Sequence, residues 1–321
     1  MESLTAFMKD RRGALVGLIV LAVILMSVLS PYFLQVNNLL TLMQYSAVVG
    51  VLALGQTMVI LGGGGGIDLS IGSTMSLCSV VFGLLAAGAG LSPWLAALLA
   101  LVAGVVLGAI NGLLITLLDV PPLIVTLGTL YLYASAAQVI TGGTDISGFD
   151  REGFRTLGQT AIAGVPFQVL CILLPLGLLM VFVTRRTGFG RNVYAIGSNA
   201  TSARLAGVPV PRTRVALYAI AGGSAAIGAI ITASWLLNAK STAGAGLELQ
   251  AITIAVLGGT AITGGVGRIS GVLLALVLVA VLNNGLQLAG VGATFQLGLL
   301  GAVLVISMLI RPRGQTRRLA T

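Results

Sequence analysis

The sequence contains no histidine, only two cysteines, and few charged side chains: 17 basic and 8 acidic residues among 321. Charged residues make up 8% of the chain, against about 25% in a typical soluble domain, so a water-exposed globular surface is excluded. The lack of histidine excludes histidine-dependent catalytic triads and histidine metal sites. Cys78 and Cys171 lie in apolar stretches and are expected to be inert core thiols rather than a disulfide or a metal site.

Hydrophobic residues, by contrast, make up 57% of the chain, and the mean hydropathy is +1.08. Such a composition also excludes intrinsic disorder, which requires low hydrophobicity. The 45 glycines show no collagen-type period. We therefore predict an all-α integral membrane protein with a single transmembrane domain over residues 1–321.

Runs of about 20 apolar residues predict ten membrane-spanning segments. They cover residues 14–33, 41–61, 71–90, 93–117, 121–141, 167–184, 214–237, 250–265, 269–289 and 294–310. The fifth and eighth are short or polar enough to be re-entrant, so we expect eight to ten transmembrane helices. The first apolar stretch is longer than that of a signal peptide and is expected to remain as a helix.

The distribution of basic residues predicts the orientation. Six arginines and no acid lie in the loop 185–214, and four arginines follow residue 310, whereas acids outnumber bases in the loop 142–166. Basic segments face the cytoplasm, so this loop and both termini are predicted to be cytoplasmic. The net charge of +9 then reflects topology and indicates no nucleic-acid partner.

Five consecutive glycines, 62–66, interrupt the apolar pattern. Each costs about 1 kcal/mol relative to alanine in a helix, so the helix must break here. Asp68 and Ser70 follow and either cap the next helix or line a solute pathway. A second glycine-rich break at 261–271 echoes the first, and paired breaks in two halves of a membrane protein indicate a transport pathway and an internal repeat.

Other polar residues of the spans have the same two interpretations. They line a passage for a hydroxylated solute, or they bond the backbone of a neighbouring helix. The pathway and hinge candidates are Gln56, Thr57, Gly64, Asp68, Ser70, Asn111, Thr126, Thr129, Asn283, Asn284 and Gln287, and Gln296 has the same two interpretations.

The arginine-rich loop 185–214, called here the basic loop, contains a short predicted helix, 200–206, with Ser198 or Asn199 as its cap and Gly207 at its end. An isolated capped helix in a cytoplasmic loop is typical of a docking element for a partner, and the alternative is contact with anionic membrane lipid. The candidate coupling residues are Arg191, Gly197, Asn199, Ser202, Ala203, Arg204, Leu205 and Gly207.

The chain lacks a nucleotide-binding motif of its own. It has two lysines, Lys9 and Lys240, and neither completes a G-x-x-x-x-G-K-[ST] phosphate loop. No glutamate lies within a predicted span, so the carboxylate relay of a proton-coupled pump is also missing. The energy for active transport must therefore come from another chain.

Four ordered motifs carry a family resemblance: Gly66-Ile-Asp-Leu-Ser-Ile-Gly72, Pro121-Pro-Leu-Ile-Val-Thr-Leu-Gly128, Gly190-Arg-x-x-Tyr-Ala-Ile-Gly197 and Glu248-Leu-x-Ala-Ile-x-x-x-Val-Leu-Gly-Gly259. Together they resemble the permease subunits of bacterial ABC sugar importers of the ribose and autoinducer-2 type, over residues 14–312. The chain departs from many members in lacking an Arg-Gly pair near Ala134 and in its longer glycine run.

The resemblance implies a multi-pass permease of the bacterial inner membrane that is not itself an enzyme and holds no cofactor or metal. ATP would be bound by a separate ATP-binding-cassette subunit. The other implied partners are a second permease subunit, identical or related, and a periplasmic sugar-binding protein. The short helix 200–206 would sit in a cleft of the ATPase.

Three other functions stay open at this point. A branched-chain amino-acid importer permease has similar segments and differs in the solute that its binding protein carries. An ion-coupled secondary transporter would work without an ATPase. An intramembrane enzyme is disfavoured because the sequence offers neither paired carboxylates nor a nucleophile with a base.

Overall fold

The computed structural model describes residues 11–151 and 153–292, together with 295–296, 298–299, 301–302 and 305. The regular secondary structure of the described residues is helical apart from one short hairpin of β1 (Ala161–Ile162) and β2 (Val165–Pro166), which pair antiparallel, and one isolated antiparallel bridge between Ile146 and Ala239. Its α-helices are α1 (Arg11–Leu29), α2 (Val36–Leu61), α3 (Ile71–Gly83), α4 (Pro93–Leu117), α5 (Pro122–Thr141), α6 (Arg155–Gln159), α7 (Leu174–Arg186), α8 (Gly188–Ser198), α9 (Ala200–Leu205), α10 (Val210–Leu236), α11 (Leu247–Leu257) and α12 (Ile269–Leu288). One π-helical turn, Leu84–Gly88, continues α3, and another, Val169–Leu173, leads into α7.

Seven of the described helices are long and apolar enough to cross a membrane. They are α2, α3 with its π turn, α4, α5, α7 with its π turn, α10 and α12. Two shorter apolar helices, Gly13–Leu29 and α11, accompany them. The predicted all-α, multi-pass class is therefore confirmed, while the full number of spans and the orientation of the termini stay predictions.

The predicted eighth span, 250–265, is wrong in its second half. Helix α11 covers only Leu247–Leu257, and the chain then turns, with Gly259 and Gly264 at φ values of +99° and +90°. Glycine adopts this left-handed backbone conformation without steric cost, and the conformation interrupts a helix. The predicted first span ends four residues early, at Leu29, and most of the predicted span 294–310 lies outside the described residues.

Helix α10 occupies the centre of the described fold and packs against α2, α3 and α4. Its contact with α4 is made through backbone. A Cβ atom added to Gly108 of α4 would lie 2.1 Å from the Tyr218 carbonyl oxygen, and one added to Gly222 of α10 would lie 2.0 Å from the Gly104 carbonyl oxygen. Small residues let membrane helices approach this closely, which maximises van der Waals contact where lipid offers no hydrophobic driving force.

Burial separates an inner helix from outer ones. Every residue of α2 from Ala47 to Leu61 is buried, whereas α4, α5 and α7 expose many large apolar side chains, as expected of surfaces that face lipid.

The structure corrects one expectation about the cysteines. Cys78 is buried, but Cys171 is exposed on the π turn before α7 and is not a core thiol.

Candidate functional site

The glycine run ends α2 and forces the predicted break. Helix α2 stops at Leu61 and α3 starts at Ile71. Between them Gly63, Gly64 and Gly65 adopt φ values of +66°, +66° and +72°, which side chains with a Cβ rarely adopt. Residues 62–70 thus form a non-helical connection, called here the first break.

Asp68 shapes the first break but does not cap α3. Its Oδ1 atom accepts hydrogen bonds from the Ser70 main-chain N–H at 2.9 Å and from the Ser70 hydroxyl at 2.6 Å. Ser70 itself is the N-cap residue, and its side chain makes no capping bond. Asp68 lies in the connection outside both candidate spans, where burial raises its pKa to about 6 while the hydrogen bonds from Ser70 oppose the rise.

Three helices hold this turn through buried polar groups. The Asn111 amide of α4 donates to the Ser70 hydroxyl at 2.8 Å. The Tyr133 hydroxyl of α5 shares its one proton between the Leu107 carbonyl, at 3.2 Å, and Asn111 Oδ1, at 3.4 Å. The Gln56 amide of α2, in the orientation that satisfies both of its ends, pairs with the main-chain N–H and carbonyl of Asp68, each at 3.1 Å. Each group is committed to a protein partner, which supports structural roles for Gln56, Asp68, Ser70 and Asn111.

The candidate threonines form hydrogen bonds with main-chain carbonyls, which agrees with the second of the two predicted interpretations. Thr57 donates to the Ala53 carbonyl at 2.6 Å, and Thr129 donates to that of Val125 at 3.0 Å, both within their own helices. Thr126 shares its hydroxyl proton between the Pro122 carbonyl of its own helix, at 2.9 Å, and the Ile67 carbonyl, at 3.2 Å, and the second contact ties α5 to the first break.

The two glycine-rich breaks meet at one place. The second break, residues 258–268 between α11 and α12, donates a hydrogen bond of 3.0 Å from Gly265 N–H to the Leu61 carbonyl. A Cβ atom on Gly264 would lie 2.3 Å from Gly63 Cα, and one on Gly197, in α8, would lie 2.0 Å from the Leu61 carbonyl oxygen. We call the contact of Gly63, Gly197, Gly264 and Gly265 the glycine junction. The breaks that echo each other in sequence are thus also partners in space.

Helix α8 lies within the basic loop 185–214 and was not predicted from the sequence. It connects the rest of this loop to the glycine junction. The Thr187 hydroxyl caps it by accepting from Gly190 N–H at 3.1 Å. Near its other end the Tyr194 hydroxyl donates to the Gly267 carbonyl at 2.9 Å. Burial raises the pKa of Tyr194 against the opposing effect of Arg185 and Arg268, so the hydroxyl keeps the proton that it donates.

The predicted short helix is present as α9. Asn199 Oδ1 accepts from Ser202 N–H at 2.9 Å, and Gly207 follows the helix at a φ of +82°, so cap and terminator are both confirmed. Ala203, however, is 5% exposed and packs with Ile196 and Val210 inside the loop. Its side chain is unavailable to a partner, whereas Leu205 is 85% exposed.

The other predicted coupling positions divide in the same way. Arg191, Ser202 and Arg204 are exposed and free to face a partner. Gly197 instead belongs to the glycine junction. The surface that α8 and α9 offer is therefore centred on Leu205 and flanked by arginines.

A cavity of about 450 Å³ lies between α2, α10, α11 and α12. It is lined in part by Tyr45, Trp235, Gln250, Asn283, Asn284 and Gln287. The structure thus brings together the three predicted candidates on α12. Sequence reasoning missed Tyr45, Trp235 and Gln250, since each lies on a different helix and only packing shows that they share a space.

The cavity and the glycine junction lie at opposite ends of the same helices. Tyr45 and Leu61 are both on α2, which places them about 24 Å apart at 1.5 Å per residue. Likewise Gln250 lies in the first half of α11, while Gly264 and Gly265 follow its end. The molecule therefore has a polar chamber at one end and a backbone junction attached to the basic loop at the other.

Comparison with known proteins gives a consistent result. The family model described as branched-chain amino acid transport system / permease component matches residues 38–308. The ribose import permease protein RbsC of Bacillus subtilis (strain 168) is 41% identical over 303 residues, covering 94% of this chain and 92% of that protein. The autoinducer 2 import system permease proteins LsrD of Photorhabdus laumondii and Escherichia coli (strain K12) are 36% and 37% identical, each covering 93% of this chain and 90% and 91% of those proteins. No solved structure gives a significant match.

Proposed function

We propose a transport function from one premise: this chain belongs to the family of permease components of branched-chain amino acid transport systems. Within that family we assign it as the transmembrane permease subunit of an ATP-binding-cassette importer for a monosaccharide or sugar-like solute. The observation that carries this assignment is the 41% identity to a ribose import permease over 94% of the chain. The predicted resemblance to sugar importer permeases is confirmed by these relatives.

A branched-chain amino acid, the solute in the family's description, is the second candidate. The relatives named above import ribose and autoinducer 2, which favours the sugar class. The cavity supports the same choice, because the lining residues that the structure describes are uncharged. An amino acid carries two charges, and transfer of a charge into an uncharged chamber is costly unless a counter-charge meets it.

The energy source lies on a partner. The sequence holds no phosphate-binding loop, so we assign ATP binding and hydrolysis to a separate ATPase subunit. A second permease subunit, identical or related, and a periplasmic sugar-binding protein complete the proposed assembly in the bacterial inner membrane. The chain itself is a transport subunit without a cofactor, and its outer helix faces contact lipid.

The geometry supports a coupling route within this assembly. Leu205 on α9 would occupy the ATPase cleft, and α8 would carry movement of the loop to the glycine junction through Tyr194 and Gly197. Because both breaks meet there, one displacement of α8 acts on α2, α3, α11 and α12 together. With the basic loop in the cytoplasm, the cavity at the far end of these helices opens outward and receives the solute from the binding protein.

Reconstitution of the operon partners tests the proposal. The permease, its ATPase and its binding protein are placed in liposomes, and ATP hydrolysis and solute uptake are measured with ribose, an autoinducer-2 analogue or leucine. We expect stimulation by a sugar-class solute and none by leucine. Stimulation by leucine alone contradicts the sugar assignment, and uptake by the permease without its ATPase, driven by an ion gradient, contradicts the importer assignment.

A further inference from the structure

The polar residues around the 450 Å³ cavity are of two kinds. Asn284 exchanges two hydrogen bonds with Asn38, each of 2.9 Å, which tie α12 to α2. Gln250 accepts a hydrogen bond of 2.9 Å from the Tyr45 hydroxyl, which ties α11 to α2. Both amides therefore hold contacts between helices, Asn284 through its oxygen and nitrogen and Gln250 through its oxygen.

Asn283 and Gln287 are different. Both line the cavity, and neither side chain forms a hydrogen bond with another residue in the described part of the chain. They are four residues apart on α12, so they lie on the same face of the helix with Cβ atoms about 5–6 Å apart. Each amide offers both a donor group and an acceptor oxygen, a combination that suits hydroxyl groups, which also donate and accept.

The apolar part of the cavity surface comes from Trp235, Leu42 and Ala280, which also line it. An aromatic ring beside amides is a common arrangement in small-molecule sites, where apolar surface provides contact area and a few polar groups fix orientation. The cavity volume lies within the range of about 300–1,000 Å³ that is typical of such sites. The dimensions fit a single sugar ring with some water.

We infer that this cavity is a selective binding chamber for one neutral monosaccharide, with Asn283 and Gln287 as the hydroxyl-recognising residues and Trp235 as the apolar platform. The inference rests on the proposed function and extends it by naming the residues that select the solute. Among the described residues the lining side chains are uncharged, so a sugar phosphate or a zwitterion would lose hydration without gaining a counter-charge from them. A passage must also release what it binds, so affinity in the chamber is weak, in the millimolar range.

The chain provides its own reporter, since it has only two tryptophans, Trp94 and Trp235. In the Trp94→Phe protein, reconstituted in nanodiscs, Trp235 is the sole indole fluorophore. Titration with D-ribose and other neutral monosaccharides to about 100 mM should give a saturable change of fluorescence with a millimolar dissociation constant. D-ribose 5-phosphate and leucine at matched ionic strength should give none.

Substitutions separate recognition from structure. Loss of one neutral hydrogen bond should weaken sugar binding about five- to tenfold in Asn283→Ala and in Gln287→Ala. Gln138→Ala, which removes an exposed amide of α5 away from the cavity, should bind as the parent does. Asn284→Ala should lower the thermal unfolding midpoint more than Asn283→Ala, because it breaks the pair with Asn38.

The outcomes distinguish this inference from the function on which it rests. If the complete importer takes up a neutral sugar while Asn283→Ala and Gln287→Ala bind it as tightly as the parent, the chamber assignment is wrong and the transport function stands. A response to leucine but to no neutral sugar overturns both. Absence of any response to neutral sugars in a protein whose importer transports them also overturns the chamber assignment.

Discussion

The Tyr194 hydroxyl donates a hydrogen bond of 2.9 Å to the main-chain carbonyl oxygen of Gly267. The two residues belong to segments with different predicted environments: Tyr194 to the basic loop, Gly267 to the break between two apolar helices. Backbone in such a break has lost its helical partners, and an unpaired buried carbonyl costs free energy. The bond therefore stabilises the second break and makes that stability depend on the position of α8.

Tyr194→Phe tests whether this bond transmits movement. The substitution removes one neutral hydrogen bond, worth about 1 kcal/mol, and keeps the ring in place. We expect solute uptake to fall several-fold while the ATPase still binds and hydrolyses ATP, so the ratio of transport to hydrolysis decreases. Tyr131→Phe, on the exposed face of α5, is the matched control. An unchanged ratio of transport to hydrolysis in Tyr194→Phe would show that the hydrogen bond stabilises the structure and does not transmit movement.

Gly197→Ala tests the close approach at the glycine junction. The added methyl group would lie 2.0 Å from the Leu61 carbonyl oxygen, so the backbones must separate. We expect a lower unfolding temperature and loss of uptake. Gly188→Ala lies in the same helix, and its methyl group would meet its nearest neighbour, Arg191, at 3.6 Å, an ordinary contact. That variant should match the parent in both measurements, and equal behaviour of the two variants would refute the steric argument.

Leu205→Asp tests the docking surface. Leu205 is 85% exposed, so the substitution should leave the unfolding temperature unchanged. If the residue enters an apolar cleft of the ATPase, an unpaired buried charge costs several kcal/mol and co-purification is lost. Leu205→Met is the conservative control and should retain the ATPase. Co-purification at the parental level with Leu205→Asp would place the docking contact elsewhere.

Ala203→Arg should act differently from Leu205→Asp, although both positions lie on α9. Ala203 is buried against Ile196 and Val210, so an arginine there must disrupt the loop before any partner binds. We expect a lower unfolding temperature in the isolated permease as well as loss of the ATPase. A parental unfolding temperature would show that Ala203 is accessible after all.

A reversible cross-link at Gly64 tests whether the first break moves during transport. A Cβ atom on Gly64 would lie 2.5 Å from the Arg214 guanidinium, so cysteines at 64 and 214 can be bridged by a short bifunctional thiosulfonate reagent. The background lacks Cys78 and Cys171. We expect the bridge to stop uptake with assembly intact, and reduction to restore it. Uptake at the unbridged rate would make the glycine run a packing device only.

Several features of this protein follow from residues that are neighbours along the chain. Apolar runs predict most of the spans, five glycines predict the break after α2, and Asn199 with Gly207 predicts the limits of α9. Each depends on local backbone preference or on the solvation of one segment, which the sequence states directly. The family resemblance is also carried by short ordered motifs, and the relatives confirm it.

Tertiary structure alone decided which polar residues of the chamber have a protein partner and which do not. Asn283 and Asn284 are adjacent in sequence, alike in chemistry and both line the cavity, yet Asn284 pairs with Asn38 while the Asn283 side chain forms no hydrogen bond with another described residue. Successive residues on a helix point about 100° apart, and the partner on each side is set by the packing of segments up to 246 residues away along the chain. For the same reason the burial of Ala203 and the meeting of the two breaks at Gly197 were absent from the sequence pattern. They depend on contacts between distant segments, and local preference carries no information about those contacts.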